Sequence, residues 1–226
     1  MNSERPKATL RLMQLCSPML PVGAYAYSQG LEFAISSGWV KDDNTASTWI
    51  KGLLGNSLTS LDIPILSRLH KAWLVNDKKK VLYWNDYLFG SRDSGELQAE
   101  EQQLAHALAR LLGDLGIPEA IVWKKVSRVC FITLFSLGIA RWKVPINDAS
   151  WGYLWMWAEN QVLAAIKLVP IGQTSGQKIL SSAIEIIPEL VSTGLSLKDE
   201  DIGYTAPGQG IASALHETQY TRIFRS

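Results

Sequence analysis

Apolar residues recur at three- and four-residue intervals through most of the chain, while alternating apolar and polar positions of strand length are absent. The pattern predicts an all-α protein. Leu10, Met13 and Cys16 form a first stripe, ended by Ser17-Pro18 because the residue before a proline avoids the helical region. Tyr27, Leu31 and Ala34 form a second, closed by Gly38. A third helix is expected to start at Asn44 or Thr45 and to carry Trp49, Ile50, Leu53 and Leu54. Asp62 caps a fourth, with Pro64 in the first turn, where a missing N–H costs little, and with Leu66, Leu69 and Trp73 following at helical spacing. Asp77 caps a fifth, carrying Val81, Trp84 and Leu88.

Asp93 and Glu96 have capping-box spacing ahead of a long helix with Leu97, Leu104, Leu108 and Leu111, which Gly113 can end. Pro118 opens another helix, with Val122, Val126, Val129, Thr133 and Leu137 on one side. Its second half is apolar nearly all round and is expected to be central. Asn147 or Asp148 caps the next helix, which runs to Val169. Residues 174–187 form a weaker helical segment, because Pro188 interrupts its continuation. Residues 195–210, rich in Asp, Gly and Pro, read as an irregular arm leading to the last block. No linker or internal repeat divides the string. The expectation is therefore one helical domain over residues 1–226, a bundle of about eight to ten helices. Residues 1–9 are its flexible N-terminus and residues 195–226 its C-terminal arm and tail.

Composition narrows the classes of function. With 226 residues, 47% hydrophobic and only 19% charged, the chain can bury a sizeable core and must expose apolar area or cover it with partners. The nine tryptophans read mainly as core fillers, with some available to anchor an interface. The 22 basic and 21 acidic residues leave a net charge of +1, which argues against a nucleic-acid partner. Lys78, Lys79 and Lys80 follow Asp77 and read as a solvated helix start. Cys16 and Cys130 sit among apolar residues as buried free thiols. The first nine residues are polar, without the apolar core of a secretory signal. Residues 129–140 are too short to span a bilayer, and residues 151–169 are interrupted by Glu159, Asn160 and Lys167. A cytoplasmic protein with no membrane contact is expected.

Tests for chemistry fail on spacing. The segment from Gly172 to Lys178 lacks the strand and the Ser or Thr of a phosphate loop, and Gly208-Gln209-Gly210 lacks a βαβ unit. His70, His106 and His216 show no metal-ligand spacing. His216 beside Glu217 is either a transient metal contact or a hydrogen-bonded anchor for the tail. Ser28 lies outside a nucleophile elbow. Glu96, Glu100 and Glu101 read as the exposed face of a helix, whereas Glu159 and Asn160 interrupt a hydrophobic one, as satisfied buried polar groups or as interface residues. No catalytic and no metal-binding residue is assigned.

What remains is recognition. Leu20-Pro21-Val22-Gly23-Ala24-Tyr25-Ala26-Tyr27-Ser28-Gln29-Gly30-Leu31-Glu32 places a fixed φ, two glycines and two flat amphipathic rings where a core helix wants none. This segment resembles the N-terminal signature of the urease accessory protein UreF family. The block containing His216, Glu217, Gln219, Tyr220, Arg222, Phe224 and Arg225 resembles that family's C-terminal block. Lys167-Leu168-Val169-Pro170-Ile171-Gly172-Gln173 resembles a third stretch, and Trp39-Val40 and Asp62-Ile63-Pro64 resemble weaker ones. Gly95, Gln98 and Leu215 depart from the pattern at positions that are commonly basic in such proteins.

The resemblance implies a non-catalytic helical scaffold that dimerises, binds UreD (also called UreH) and recruits the GTPase UreG. Nickel would then reach the urease apoprotein with GTP hydrolysis. It implies no stably bound cofactor here, since nickel and GTP belong to the partner complex. Partner contacts are expected on residues 21–32, on Lys167, Pro170 and Gln173, and on a mobile tail whose Arg222 and Arg225 pair with a partner's carboxylates or reach a nucleotide held by a partner. A helical adaptor of another complex and a serine hydrolase acting through Ser28 are the alternatives.

Overall fold

A computed structural model describes residues 4–226. Among the described residues there are ten α-helices and no strand. They are α1 (Glu4–Leu15), α2 (Leu31–Ser36), α3 (Asp43–Leu53), α4 (Ile63–Leu74), α5 (Lys78–Gly90), α6 (Gly95–Asp114), α7 (Phe131–Arg141), α8 (Ile146–Leu168), α9 (Gln173–Ser196) and α10 (Pro207–His216). The apolar centre is α7, in which every residue from Phe131 to Ala140 is buried. Helices α4, α6 and α1 pack on it, and α8 and α9 lie together on a second side. The all-α expectation and the central place of α7 hold.

Several local expectations are corrected. Residues 4–9, expected to be flexible, are helical, and residues 1–3 lie outside the described set. In α1 the buried stripe is Ala8 and Leu15 with Cys16 just beyond, while Leu10 and Met13 are exposed. Asp62 does not cap α4. Its backbone is helical, because a π-helical stretch over Leu54–Asp62 joins α3 to α4 without a break, and its carboxylate turns inward. Nine residues of wider helix are unusual, since π turns mostly occur singly. Ser94, not Asp93, caps α6 by accepting from the Leu97 amide.

The helix expected from Pro118 through Leu137 is broken. Pro118–Lys125 is a 3₁₀ segment whose Ile121 side chain lies where a side chain on Gly113 would go, and α7 starts afresh at Phe131. Asn85 holds the connection by donating to the Arg128 carbonyl and accepting from the Cys130 amide. Helix α8 starts at Ile146 after Pro145, ahead of the expected caps. Helix α9 runs straight through Pro188, because contacts with α3, α4 and α8 hold it along its length; this offsets a cost of about 3 kcal/mol for an interior proline. By length and composition alone α9 would pass as a membrane span, yet it is one layer of this packed body. The expected irregular arm is irregular only to Ala206, after which α10 begins.

Candidate functional site: a C-terminal strap held by buried carboxylates

The two terminal motifs, about 190 residues apart in sequence, meet in space. Gly23, Gln29 and Gly30 all have positive φ (85°, 55° and 83°), so the chain from Pro21 to Gly30 folds back on itself before α2. At Gly30 the requirement is double, since a β-carbon there would come within 2.9 Å of the Ser213 nitrogen on α10. This close approach seats α10 on α2 and aims the following tail at the Ser28–Glu32 turn. Ser94 and Ser213 hydroxyls, 2.7 Å apart, tie the same helix to the start of α6.

Glu32 is the centre of the attachment. Buried at 5% exposure, it accepts from the Ile223 amide at 2.7 Å and from the Phe224 amide at 2.8 Å. The same carboxylate lies 3.2 Å from His216 Nε2, while His216 Nδ1 lies 2.7 Å from Glu96. Fully buried, His216 therefore has a carboxylate on each ring nitrogen, and a ring carrying both N–H groups donates to both. Of its two sequence readings, the tail anchor is the one this geometry makes. Arg222 donates to the other Glu96 oxygen at 2.7 Å. Glu217 accepts from the Glu96 amide, and Gly95 leaves the space its carboxylate occupies.

The last residues run alongside the N-terminal motif. The main-chain oxygen of Ser226 accepts from the amides of Ser28 and Gln29 and from the Ser28 hydroxyl, and the Arg225 amide donates to Ala26. Ser226 Oγ donates to Glu100 at 2.9 Å, and Gln29 donates to the other Glu100 oxygen at 2.7 Å while accepting from Trp157 Nε1. Tyr27 donates to Gln103, which also accepts from Arg225, and Asn160 donates to the Tyr27 carbonyl. Burial of Glu100, opposed in part by these two donors and reinforced by neighbouring Glu101, pushes its carboxyl up to about 7. Burial likewise raises Glu159, on the same helix as Asn160.

Beside the turn, lined by Tyr25, Gln29 and Glu100, is a cavity of about 120 Å³. Its inner wall is a buried charge cluster: Arg92 donates to both Asp62 oxygens (2.6 and 3.1 Å) and to Glu101 at 2.8 Å, and Tyr153 donates to Asp62 at 2.9 Å. Burial works against the Arg92 charge, yet Asp62 and Glu101 hold the guanidinium well above its ordinary value. Burial and the same two carboxylates push the Tyr153 phenol up. Glu101 also accepts from the Phe131 amide, fixing the start of α7. Gln98 donates to the Arg92 carbonyl.

The structure thus sorts the residues singled out by the sequence. Tyr27, Ser28, Gly30, Glu32, His216 and Phe224 are buried and hold the strap. Tyr25, Glu217, Tyr220, Arg222 and Arg225 are exposed on its outer side, with Lys167 placed 5.5 Å above the Phe224 ring. Pro21, Gly23 and Gln29 shape the turn, and Gln219 bonds within the tail. Pro170 lies on the α8–α9 connection and Gln173 is the first residue of α9, and no hydrogen bond among the described residues joins them to the tail.

Two expectations fail. The tail is folded on the chain's own body rather than mobile, because buried carboxylates take its amides. Glu100 and Glu101 are buried at 4% and 8%, not exposed, because both face the strap and the charge cluster. Sequence reasoning missed Glu96, Glu100 and Gln103 as strap residues, although their four- and three-residue spacing on one helix face was the available signal. Ser28 meets no histidine nitrogen. Its hydroxyl donates to Ser226 and accepts from the Glu32 amide. Burial pushes the Cys16 thiol up to about 12, outside nucleophile range. Among the described residues no group of three His, Cys, Asp or Glu has the arrangement to hold a metal ion.

Comparison with known proteins gives consistent matches. The family model described as UreF matches residues 40–184. A urease accessory protein UreF of Alkalilimnicola ehrlichii is 48% identical over 97% of this chain and 96% of its own length. Those of Hahella chejuensis and Pseudomonas putida are 41% and 40% identical, covering 98% and 100% of this chain and 99% and 100% of their own lengths.

Proposed function

This chain belongs to the UreF family of urease accessory proteins, and from that premise we propose that it works as a non-catalytic scaffold for nickel delivery. It acts in the cytoplasm as a homodimer, binds UreD/UreH and recruits the GTPase UreG, so that the urease apoprotein receives nickel when UreG hydrolyses GTP. Nickel and GTP stay with the partner complex, and this chain holds no cofactor of its own. Its contribution is a preformed surface.

The observation that supports this reading best is the strap. Binding a disordered tail costs the partner the ordering free energy, on the order of 2–5 kcal/mol for a coupled segment. Here Glu32, Glu96, Glu100 and His216 meet that cost inside the chain, and Tyr25, Tyr220, Arg222, Ile223 and Arg225 are left exposed on the ordered turn and strap. Aromatic and arginine side chains on a preorganised frame are the composition of interface hot spots.

The test is urease activity and nickel content in cells expressing urease with its other accessory proteins. Without this chain, urease should be nickel-poor and inactive; with it, nickel and activity should return. A chain with both Arg222 and Arg225 changed to alanine should keep its melting temperature within a few degrees and fail to restore nickel. Equal nickel content with and without the chain would reject the proposal.

A further inference from the structure

A second surface lies toward the Asp114 end of α6, where the 3₁₀ segment packs with its Ile121 against Gly113. Four segments are pinned together there. Trp73 at the end of α4 meets Trp123 of the 3₁₀ segment edge to face, with ring centres 5.8 Å apart. Arg141 at the end of α7 donates to the Trp73 carbonyl and to Asn76 in the α4–α5 turn, and pairs with Glu119.

The side chains these segments send outward are mainly basic, with Asp77 and Glu119 the carboxylates among them and Asp114 at the end of α6. Lys71, the Lys78, Lys79 and Lys80 run and Lys125 are all exposed, and among these only Lys80 has a carboxylate partner within the described residues, Asp77 at 3.7 Å. This concentration stands in a chain of net charge +1, so it is a local feature that the total does not reveal.

Placement makes the concentration more telling. Lys78, Lys79 and Lys80 fill the first turn of α5, the positive end of the helix dipole, where cations are unfavourable and Asp or Glu is the stabilising choice. Local stability therefore does not account for them. Among these lysines lie exposed apolar side chains: Leu74 at 54%, Val75 at 72% and Val122 at 67%. A surface serving only to bind phosphates has no use for such residues, whereas a protein interface centres on them.

We propose that this end of the molecule is a second docking surface, for an acidic protein patch with an apolar centre, separate from the strap. The inference rests on the scaffold reading only in taking the urease apoprotein, UreD and UreG as the proteins to try. A scaffold that must hold two partners at once needs two such surfaces, and here the strap uses the Glu96–Gln103 part of α6 while the second surface lies toward Gly113 and Asp114.

The experiment measures binding of the purified chain to each of those three proteins, at 50 and 300 mM salt, for three forms of it. These are the natural chain, the charge-reversed K78E/K79E/K125E, and the apolar variant L74S/V122S, each checked for an unchanged helical spectrum. A duplex RNA of about 20 base pairs serves as a polyanion control. The expected result is that one protein loses about tenfold or more in affinity to both variants, and that its binding to the natural chain is the more salt-sensitive.

Three results would overturn the proposal: no protein distinguishing the variants from the natural chain; loss with K78E/K79E/K125E alone; or tight duplex RNA binding that the charge reversal abolishes. If the variants bind all three proteins normally while the Arg222 and Arg225 changes still block nickel delivery, the second surface fails and the scaffold reading stands.

Discussion

At the N-terminal end of α6, Glu96 and Glu100 face inward and each meets donors from the C-terminal block or from the Tyr27–Gln29 turn, while toward the other end Lys71, Lys78, Lys79 and Lys125 face water without a carboxylate partner. The first group is expensive to bury and is satisfied by the chain itself. The second costs little to hydrate and is left unsatisfied. Charge at the strap thus specifies internal order, since an unpaired buried donor or carboxylate costs far more than a paired one gains. Charge at the basic end does nothing comparable for the fold, which is why a partner is the better account of it.

The sharpest way to break the comparison is at Glu32. Removing its carboxylate in Glu32→Ala leaves the Ile223 and Phe224 amides and one His216 nitrogen without their acceptor. Tail docking should weaken by about 2–4 kcal/mol. Amide hydrogen exchange at Ile223 and Phe224 should accelerate by about 30- to 1000-fold, while the α7 core amides change much less. Uniform acceleration across the core would make the strap part of the global fold rather than a separable latch.

How far this division was visible in the sequence depends on the range over which each signal acts. Helical periodicity is local, so the stripes of α4, α5 and the second half of the Pro118–Leu137 pattern emerged with their buried residues correctly assigned. Asp77 was legible as a cap for the same reason, because its acceptor reaches only to the Lys80 amide. Asp62 looked identical from its neighbours. Its role is set by Arg92 and Tyr153, 30 and 91 residues away, and a π-helical stretch removed the helix start it would have capped.

The strap was half legible. Tyr25, Gly30 and the tail stood out as residues a core helix would not choose, and the family resemblance linked them by function. That they touch each other was not visible, since a contact such as Ser28 with Ser226 leaves no periodic trace. Glu100 and Glu101 went wrong by the same route: a carboxylate on a helix is exposed by default, and only the tertiary partners of these two reverse it.

Glu100 gives a subtler test of the inward-facing end, because its burial is only partly compensated. Its carboxyl sits at about 7 in the folded chain against an ordinary 4.5, so between those values the folded state keeps a proton that the unfolded state has released. Stability therefore falls as pH rises through that window, and the cost is fully present above pH 7, reaching up to about 3 kcal/mol. The melting temperature and the protection of the Ser28 and Gln29 amides, both bonded to Ser226, should be higher at pH 6 than at pH 8. Glu100→Gln, which keeps an acceptor without the charge, should flatten that difference and match or exceed the natural chain at pH 8. A natural chain equally stable at both pH values would show that the Gln29 and Ser226 donors compensate the charge in full.

The smallest effect is expected at the other end, and its sign matters more than its size. Lys78→Glu with Lys79→Glu replaces two cations by two anions in the first turn of α5, next to the N-cap Asp77. Exposed surface substitutions are usually worth within about 0.5 kcal/mol. The dipole term favours the acidic residues by about 0.3–1 kcal/mol each, and relief of repulsion from Lys71 and Lys125 adds to it, while proximity to Asp77 subtracts. The balance is a melting temperature unchanged or raised by a few degrees, with the rise shrinking in 0.5 M salt as screening removes it. Such a result would mean that the natural lysines are held at a small loss of stability, as residues selected for a partner are. A fall of several degrees would instead show these lysines supporting the fold, and the contrast between an inward-satisfied and an outward-facing end of α6 would disappear.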